Sequence, residues 1–451
     1  MMSTIAASKQ IPFEEVGFRP FHYRLGAAGC GGQFADGFEL GIIGIAVAIA
    51  AGPLQLSALQ MGMLGAAALV GLFVGAIVTG TIADRIGRRM IFGYDMLFAA
   101  LISGLQFFAT EAWHLLVLRL MLGFILGADY VASKSLVTEL SPMKYRGRLL
   151  SLMAIAWAGG YTAAYLAGFA MRDTGPDAWR YMLAVGAVPA LCIFVLRLAI
   201  PESPLWLVKK GRNEEARKII LQKLGPDVAL PTVTATQQKG GQWAELFSTK
   251  WRKRAAVGGI FYVCQVVPYF ALGTFLPKIM ESLGVGDKFT GSLIYNAMLM
   301  AGAVIGMLLI DKIPRRVFLI TTFFIGAGLL ALLAANLFGS TGVVIVFALF
   351  ALTLSAAANL EFMYPPELFP THLRATGVGF ATAVSRFGSA VSTFLLPLIV
   401  QHYGVSSALG ACVVVMLIGG VVCQIWAPET GNVHLDAVGE EQDARPVLSP
   451  A

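Results

Sequence analysis

Apolar runs of near-spanning length recur along almost the whole chain, each broken by a short polar stretch. A helix that crosses a bilayer needs about 20 predominantly apolar residues, because the hydrocarbon core is ~30 Å thick and a helix rises roughly 1.5 Å per residue. The pattern predicts six such segments in the first half, at 26–51, 60–82, 91–109, 113–137, 149–171 and 179–200. It predicts six more in the second half, at 255–281, 290–310, 316–336, 343–363, 375–400 and 407–427. In hydrocarbon each segment must satisfy its own backbone polar groups, so the expected class is an all-α membrane protein with twelve transmembrane helices.

The stretch between the two sets is polar. It predicts one amphipathic helix from Ser203 to about Leu224, a Pro/Thr/Gln/Gly linker from Gly225 to Gln242, and a segment Trp243 to Arg254 that ends in Lys250, Arg252, Lys253 and Arg254. A soluble helical hairpin is one reading, and a membrane-surface anchor with snorkelling lysines is the other. The chain then divides into an N-terminal six-helix bundle (1–200), a cytoplasmic linker (201–254), a C-terminal six-helix bundle (255–430) and a short acidic disordered tail (431–451).

Composition narrows the class. Hydrophobic residues make up 57% of the 451 and charged residues 13%, with a mean hydropathy of +0.74. A soluble chain of this length needs more charge to cover its surface. The net charge of +7 could point to nucleic acid. The basic residues instead sit in short clusters between apolar runs, so no nucleic-acid partner is expected. Every second loop is basic: Arg85, Arg88 and Arg89, then Lys144, Arg146 and Arg148, then Lys312, Arg315 and Arg316. The positive-inside rule then places both termini and the 201–254 segment in the cytoplasm. Met1 to Gly17 has no apolar core ahead of a cleavage site and reads as a retained tail. The five cysteines form no CxxC pair and lie in or beside apolar runs, so they read as small core residues, with no metal site or disulfide expected.

The two halves repeat. Asp84-Arg85-Ile-Gly-Arg88-Arg89 recurs as Asp311-Lys312-Ile-Pro-Arg315-Arg316. Glu139-Leu-Ser-Pro142 with Arg146 recurs as Glu367-Leu-Phe-Pro370 with Arg374, and Pro201-Glu202-Ser203 as Pro428-Glu429-Thr430. All three offsets are 227 or 228 residues, in the same order. Six helices per repeat give both halves the same orientation, so the expected axis runs along the membrane normal with the solute between the halves near mid-membrane.

These residues carry a family likeness. Gly80-Thr-Ile-Ala-Asp84-Arg85-Ile-Gly87-Arg88-Arg89 resembles the loop motif of the major facilitator superfamily. Glu139-xx-Pro142-xxx-Arg146-Gly147, Pro201-Glu202-Ser203-Pro204-Leu-Trp206-Leu and the Pro428-Glu429-Thr430 ending resemble the sugar-porter signatures. The likeness covers residues 20 to 430. On the seventh span, where sugar porters carry a run of Gln and Asn, this chain has Cys264-Gln265-Val-Val-Pro268-Tyr269-Phe270. Asp36-Gly37-Phe38-Glu39 resembles a first-span motif of aromatic-acid/proton symporters, and Ser385-Arg386-Phe-Gly388 is similar to their eleventh span. Gly127-Ala128-Asp129-Tyr130 resembles a bacterial branch close to both groups.

Ionisable residues within spans cost roughly 2.5–3.5 kcal/mol each on insertion scales and need a partner or a wet cavity. Asp36 and Glu39 are three apart on span one, about 60° apart round the helix, and two carboxylates so placed favour holding a proton. The alternative for them is a helix-end charge reaching headgroups. The resemblance implies that Glu39 is the proton site and that Arg119 pairs with it. A snorkelling interfacial arginine is the alternative for Arg119. On span four Arg119, Gly123, Gly127, Tyr130 and Lys134 share a face. Lys134 is either a cationic group for an anionic substrate or a partner for Asp129 or Glu139. Arg386 on span eleven can hold a carboxylate through two parallel hydrogen bonds, or pair with Glu361 on span ten. Gln265, Tyr269, Asn296 and Asn359 are further polar candidates for substrate, and Trp157 and Tyr161 form an i, i+4 aromatic pair.

The cytoplasmic motif residues suit a gate. Asp84, Arg85, Arg88 and Arg89, with Gly80 and Gly87 shaping the loop, can pair with Glu139, Arg146 and Glu202. Asp311, Arg315, Arg316, Glu367, Arg374 and Glu429 repeat that set. Rearranging such pairs shifts a two-state equilibrium.

The expectation is a monomeric secondary transporter of the bacterial inner membrane that couples import of a small organic anion, aromatic carboxylates included, to protons by alternating access. A proton-coupled sugar or polyol porter and an exporter are the alternatives on the same fold. A non-transporting receptor is disfavoured by the short tail, and an enzyme by the lack of a nucleotide loop, metal cluster or nucleophile–base motif. No cofactor is expected.

Overall fold

The computed structural model describes residues 11–231, 242–310, 312–369 and 371–430. The predicted disordered tail 431–451, most of the predicted Gly225–Gln242 linker, and the side chains of Gly80, Asp84, Asp311 and Arg374 lie outside the described residues. Among the described residues the chain is helical, apart from a short 3-10 turn at Phe13–Glu15 and an isolated bridge between Ile11 and Val228.

The first six crossings are α1 (Pro20–Ala50), α2 (Ala58–Ile86), α3 (Arg88–Gln106), α4 (Ala112–Leu140), α5 (Met143–Met171) and the broken pair α6 (Ala178–Val185) and α7 (Ala187–Arg197). Three short helices follow, α8 (Pro204–Lys209), α9 (Asn213–Lys223) and α10 (Gln242–Leu246). The second six are α11 (Arg252–Thr274) with α12 (Leu276–Ser282), α13 (Lys288–Leu309), α14 (Arg315–Ala334), α15 (Ser340–Ala358) with α16 (Leu360–Glu367), α17 (Thr371–Tyr403) and α18 (Val405–Trp426).

Eleven of these crossings are long and apolar enough to span a membrane by themselves. The twelfth, α3, falls short because Arg89, Asp95 and Gln106 lower its hydropathy. Its Asp95 and Gln106 are buried against the neighbouring helices. Large apolar side chains such as Ile77, Phe98, Leu105, Val195, Leu308 and Ile345 face outward, as a lipid-facing surface requires.

Local sequence sets the helix ends. Ser57 begins α2 by accepting from the Gln60 N–H at 3.2 Å, and the Gln60 side chain accepts in return from the Ser57 N–H. Asp287 begins α13 by accepting from the Thr290 N–H at 3.0 Å. The single amphipathic helix expected from Ser203 to Leu224 is instead two. Val208 to Arg212 closes into a tight turn in which Gly211 takes φ +75°, and α9 starts afresh at Asn213.

Small residues let the helices interlock. A β-carbon at Gly123 or Gly127 of α4 would lie 2.1 or 2.3 Å from the backbone oxygen of Ala68 or Leu72 of α2. Gly302 and Gly306 of α13 meet the Leu352 and Ala356 oxygens of α15 in the same way, at 2.3 and 2.4 Å. Close backbone approach of this kind is how helices gain packing where lipid offers no hydrophobic drive.

At one end the two halves pack closely. Gly62 near the start of α2 abuts the Phe394 carbonyl near the end of α17. The Tyr165 hydroxyl donates to the Gly273 carbonyl at 2.6 Å, and the Thr162 hydroxyl to the Asn296 carbonyl at 3.1 Å. All of these lie toward the helix ends remote from the basic loops.

Candidate functional site

Midway along the helices a cavity opens between the halves. Gln33 (α1), Tyr130 (α4) and Trp157 (α5) line one side, and Tyr269 and Phe270 (α11), Ser355 (α15), Asn359, Glu361 (α16) and Arg386 (α17) the other. Of the residues expected at substrate, Arg386, Tyr130, Tyr269, Asn359 and Trp157 thus line one cavity. Tyr161 stacks on Trp157 from behind, with ring centroids 5.5 Å apart.

Arg386 donates to the Tyr130 hydroxyl at 3.3 Å, while the Lys134 ammonium stands 3.4 Å from the centre of the same ring. A tyrosine face between two cations is a favourable arrangement. Glu361 and Tyr262 stand beside Arg386. The alternative partners for Lys134 are engaged elsewhere: Asp129 with Arg197 at 2.7 Å and Glu139 with Arg88 at 3.0 Å.

Gln265, Asn296 and Asn359 spend their amide nitrogens on helix backbone. They donate to the Leu354, Ser292 and Ala303 carbonyls at 3.4, 2.8 and 3.1 Å. Gln265 and Asn296 are buried beside the cavity rather than on its wall.

The first-span acids diverge. Glu39 is fully buried and accepts from the Ser103 hydroxyl of α3 at 2.5 Å. Arg119 of α4 is equally buried. It donates to the Glu39 backbone carbonyl at 2.9 Å and holds its other nitrogen 3.9 Å from the Glu39 carboxylate, so it is a core pair and not a snorkelling arginine. The α6–α7 break makes room for this carboxylate, since a β-carbon at Gly186 would lie 2.2 Å from Glu39 Oε1. Asp36 turns to a different group. It accepts from Gln33 at 3.1 Å and faces Asp95, Asp129 and Arg197. The expectation that Asp36 and Glu39 act on each other is corrected here: the 60° between them is enough to aim them at different helices.

The motif residues at the basic end form two matching sets. Glu202 accepts from the backbone N–H groups of Arg88 and Arg89 at 3.3 and 3.1 Å, and Glu429 from those of Arg315 and Arg316 at 2.9 and 3.0 Å. Arg88 pairs with Glu139, and Arg315 faces Glu367 at 3.8 Å. Each of these contacts joins residues of the same half. A helix N-terminus capped by a carboxylate from a neighbouring segment is favoured by both hydrogen bonding and the helix dipole.

Sequence reasoning missed Gln33, Asp95, Ser103, Phe270, Gly186 and Arg197. Asp95 and Arg197 carried a usable signal, as ionisable residues within or at the end of apolar runs. The others look like ordinary helix residues until the helices pack.

Fold and cavity define a two-bundle membrane carrier with a cavity between the halves. The "Sugar (and other) transporter" family model matches residues 27–441, and the chain belongs to that family of major facilitator transporters, not to an enzyme family. It is 41% identical over 431 residues to the inner membrane metabolite transport protein YgcS of Escherichia coli (strain K12), covering 95% of this chain and 96% of that one. It is 26% identical to the niacin transporter NiaP of Acinetobacter baylyi (strain ATCC 33305 / BD413 / ADP1), over 93% and 97% of the two chains. The fold matches a partially occluded inward-open conformation of the E. coli xylose transporter XylE with a TM-score of 0.76 at 18% identity, over 92% of this chain and 100% of that one.

Proposed function

We propose that the chain is a proton-coupled symporter of a small organic anion, preferentially an aromatic or heteroaromatic carboxylate. The observation that carries this is Arg386, a guanidinium on the cavity wall whose Nε has no hydrogen-bond partner, facing an aromatic box of Tyr130, Trp157, Tyr269 and Phe270. A guanidinium fixes a carboxylate by two parallel bonds, and flat aromatic walls suit a flat ring. The niacin transporter among the relatives carries a heteroaromatic carboxylate by its name. Glu39, with Arg119 and Ser103, is the proton-loading group of this reading.

On this reading the basic loops face the cytoplasm of a bacterial inner membrane, and the contacts between the halves at the opposite end suit an inward-facing arrangement. The motif sets around Glu202 and Glu429 act as the cytoplasmic gate.

A sugar substrate is the second reading, favoured by relatives such as the arabinose-proton symporter of Bacillus subtilis (strain 168) at 27% identity. Against it, Gln265, Asn296 and Asn359 each donate to a backbone carbonyl, and of the three only Asn359 lines the cavity.

The test is thermal stabilisation of purified protein by a panel of carboxylates and sugars at two pH values. A ligand that binds the native state raises the melting temperature by mass action. A shift with an aromatic carboxylate that disappears in Arg386→Ala supports the anion reading, and a shift only with sugars overturns it. In vesicles, uptake should rise as external pH falls and lose that dependence in Glu39→Gln. Undiminished proton-coupled uptake by that variant removes Glu39 from the mechanism.

A further inference from the structure

We infer that Asp36, Asp95, Asp129 and Arg197 form a second proton-binding site, separate from Glu39, in which Asp129 and a neighbouring aspartate share one proton. Four helices build it: α1, α3, α4 and α7. Arg197 donates to Asp95 at 2.9 Å and to Asp129 at 2.7 Å through one nitrogen, Nη1. All four side chains are at most 4% exposed. Because both accept from that one nitrogen, the Asp95 and Asp129 carboxyls are held close together, and Asp36 faces them.

Two ionised carboxylates cannot hydrogen-bond to each other, because neither has a hydrogen to donate. A proton on one oxygen turns the repulsion into an O–H···O bond. The site offers the oxygens for it. Asp36 Oδ1, Asp95 Oδ2 and Asp129 Oδ2 are buried acceptors with no donor, and Arg197 Nη2 is a buried donor with no acceptor. Gly32 is what lets that guanidinium in, since a β-carbon there would lie 1.6 Å from Nη2 and 2.9 Å from Asp129 Oδ2.

Charge counting leads to the same conclusion. The charged groups facing the cluster are Arg197 and, from α4, Lys134 toward Asp36. Three carboxylates against those two cations leave one negative charge uncompensated in a dry interior, and neutralising it by a proton is the least costly outcome. One hydrogen bond connects the cluster to the cavity: Gln33 lies on the cavity wall and donates to Asp36 at 3.1 Å. A solute that draws the Gln33 amide away removes a donor from Asp36 and so changes how strongly the cluster holds its proton.

Infrared difference spectroscopy of the purified full chain in lipid, stepped through pH, reads protonated carboxyls directly and needs no substrate. At neutral pH the wild type should show protonated-carboxyl absorption that Glu39→Gln leaves in part. Asp129→Asn and Asp36→Asn should each lose a component that both Glu39→Gln and Glu361→Gln leave in place. Asp36 makes its hydrogen bond to Gln33 and not to Arg197, so Asp36→Asn decides the matter if Asp129→Asn does not fold. Neutral-pH absorption unchanged in Asp36→Asn, Asp95→Asn and Asp129→Asn overturns the inference. The cluster is then a structural tie whose variants lower only the melting temperature. The substrate reading fails separately, in the ligand-shift assay.

Discussion

Removing either partner of the Glu39–Arg119 pair should destabilise the protein far more than removing both. The charges lie 3.9 Å apart, and both side chains are almost wholly buried. At an effective dielectric of about 20 their attraction comes to about 4 kcal/mol. Arg119→Met leaves a carboxylate in the interior with only Ser103 to bond it. Glu39→Gln keeps an acceptor for Ser103 but leaves the guanidinium without a counter-charge. Truncating one member of a buried pair typically costs about 3–5 kcal/mol, whereas an uncharged pair of similar size is often nearly neutral. The double variant should therefore recover most of the loss, with an interaction term of roughly 3–4 kcal/mol. The assay is a double-mutant cycle on unfolding of purified protein, followed by intrinsic fluorescence at neutral pH. Losses that add within about 0.5 kcal/mol would refute the pairing, because independent sites behave that way.

Further outcomes follow from the same geometry. Gly87→Ala should destabilise by about 1–3 kcal/mol, since Gly87 takes φ +101° and a β-carbon would lie 2.4 Å from Glu202 Oε2. Gly147→Ala, with nothing within 4 Å of its β-carbon, is the control and should be neutral or raise the melting temperature. Gly123→Leu should abolish the folded fraction on size-exclusion chromatography, because the Ala68 carbonyl occupies that space. Asp227→Asn should increase trypsin cleavage after Lys223 by freeing the segment that Arg19 holds at 2.7 Å. The hydrogen bond from Arg19 keeps the Asp227 carboxyl below its usual range. A group with a depressed folded value contributes its stability above the unfolded value and loses it as pH falls through the folded one, so this tie should persist at mildly acidic pH and fail only in stronger acid.

Much of the architecture was legible in the residue order. Length and spacing of apolar runs determined the twelve crossings, because lipid admits no other way to satisfy the backbone of a single apolar segment. The offset between repeated motifs gave the two halves, and Glu202 and Glu429 then met the same backbone groups in each. Residue type alone also marked Arg119, Arg386 and Glu39, since an ionisable group in hydrocarbon needs a reason to be there.

Which partner each charge takes was decided only by the packed helices. Asp36 and Glu39 share a helix and nearly a face, yet one faces the Arg197 cluster and the other Arg119, because a 60° difference in heading leads to different neighbours. Asp95, Asp129 and Arg197 are far apart in sequence and carry no motif that joins them. Gly32 and Gly186 show why no pattern could have done so: each is defined by the side chain that fills its missing β-carbon, and that side chain comes from another helix. Helical periodicity gives direction around one axis, but the distance between two charges depends on how several axes pack, and that distance sets where a proton rests.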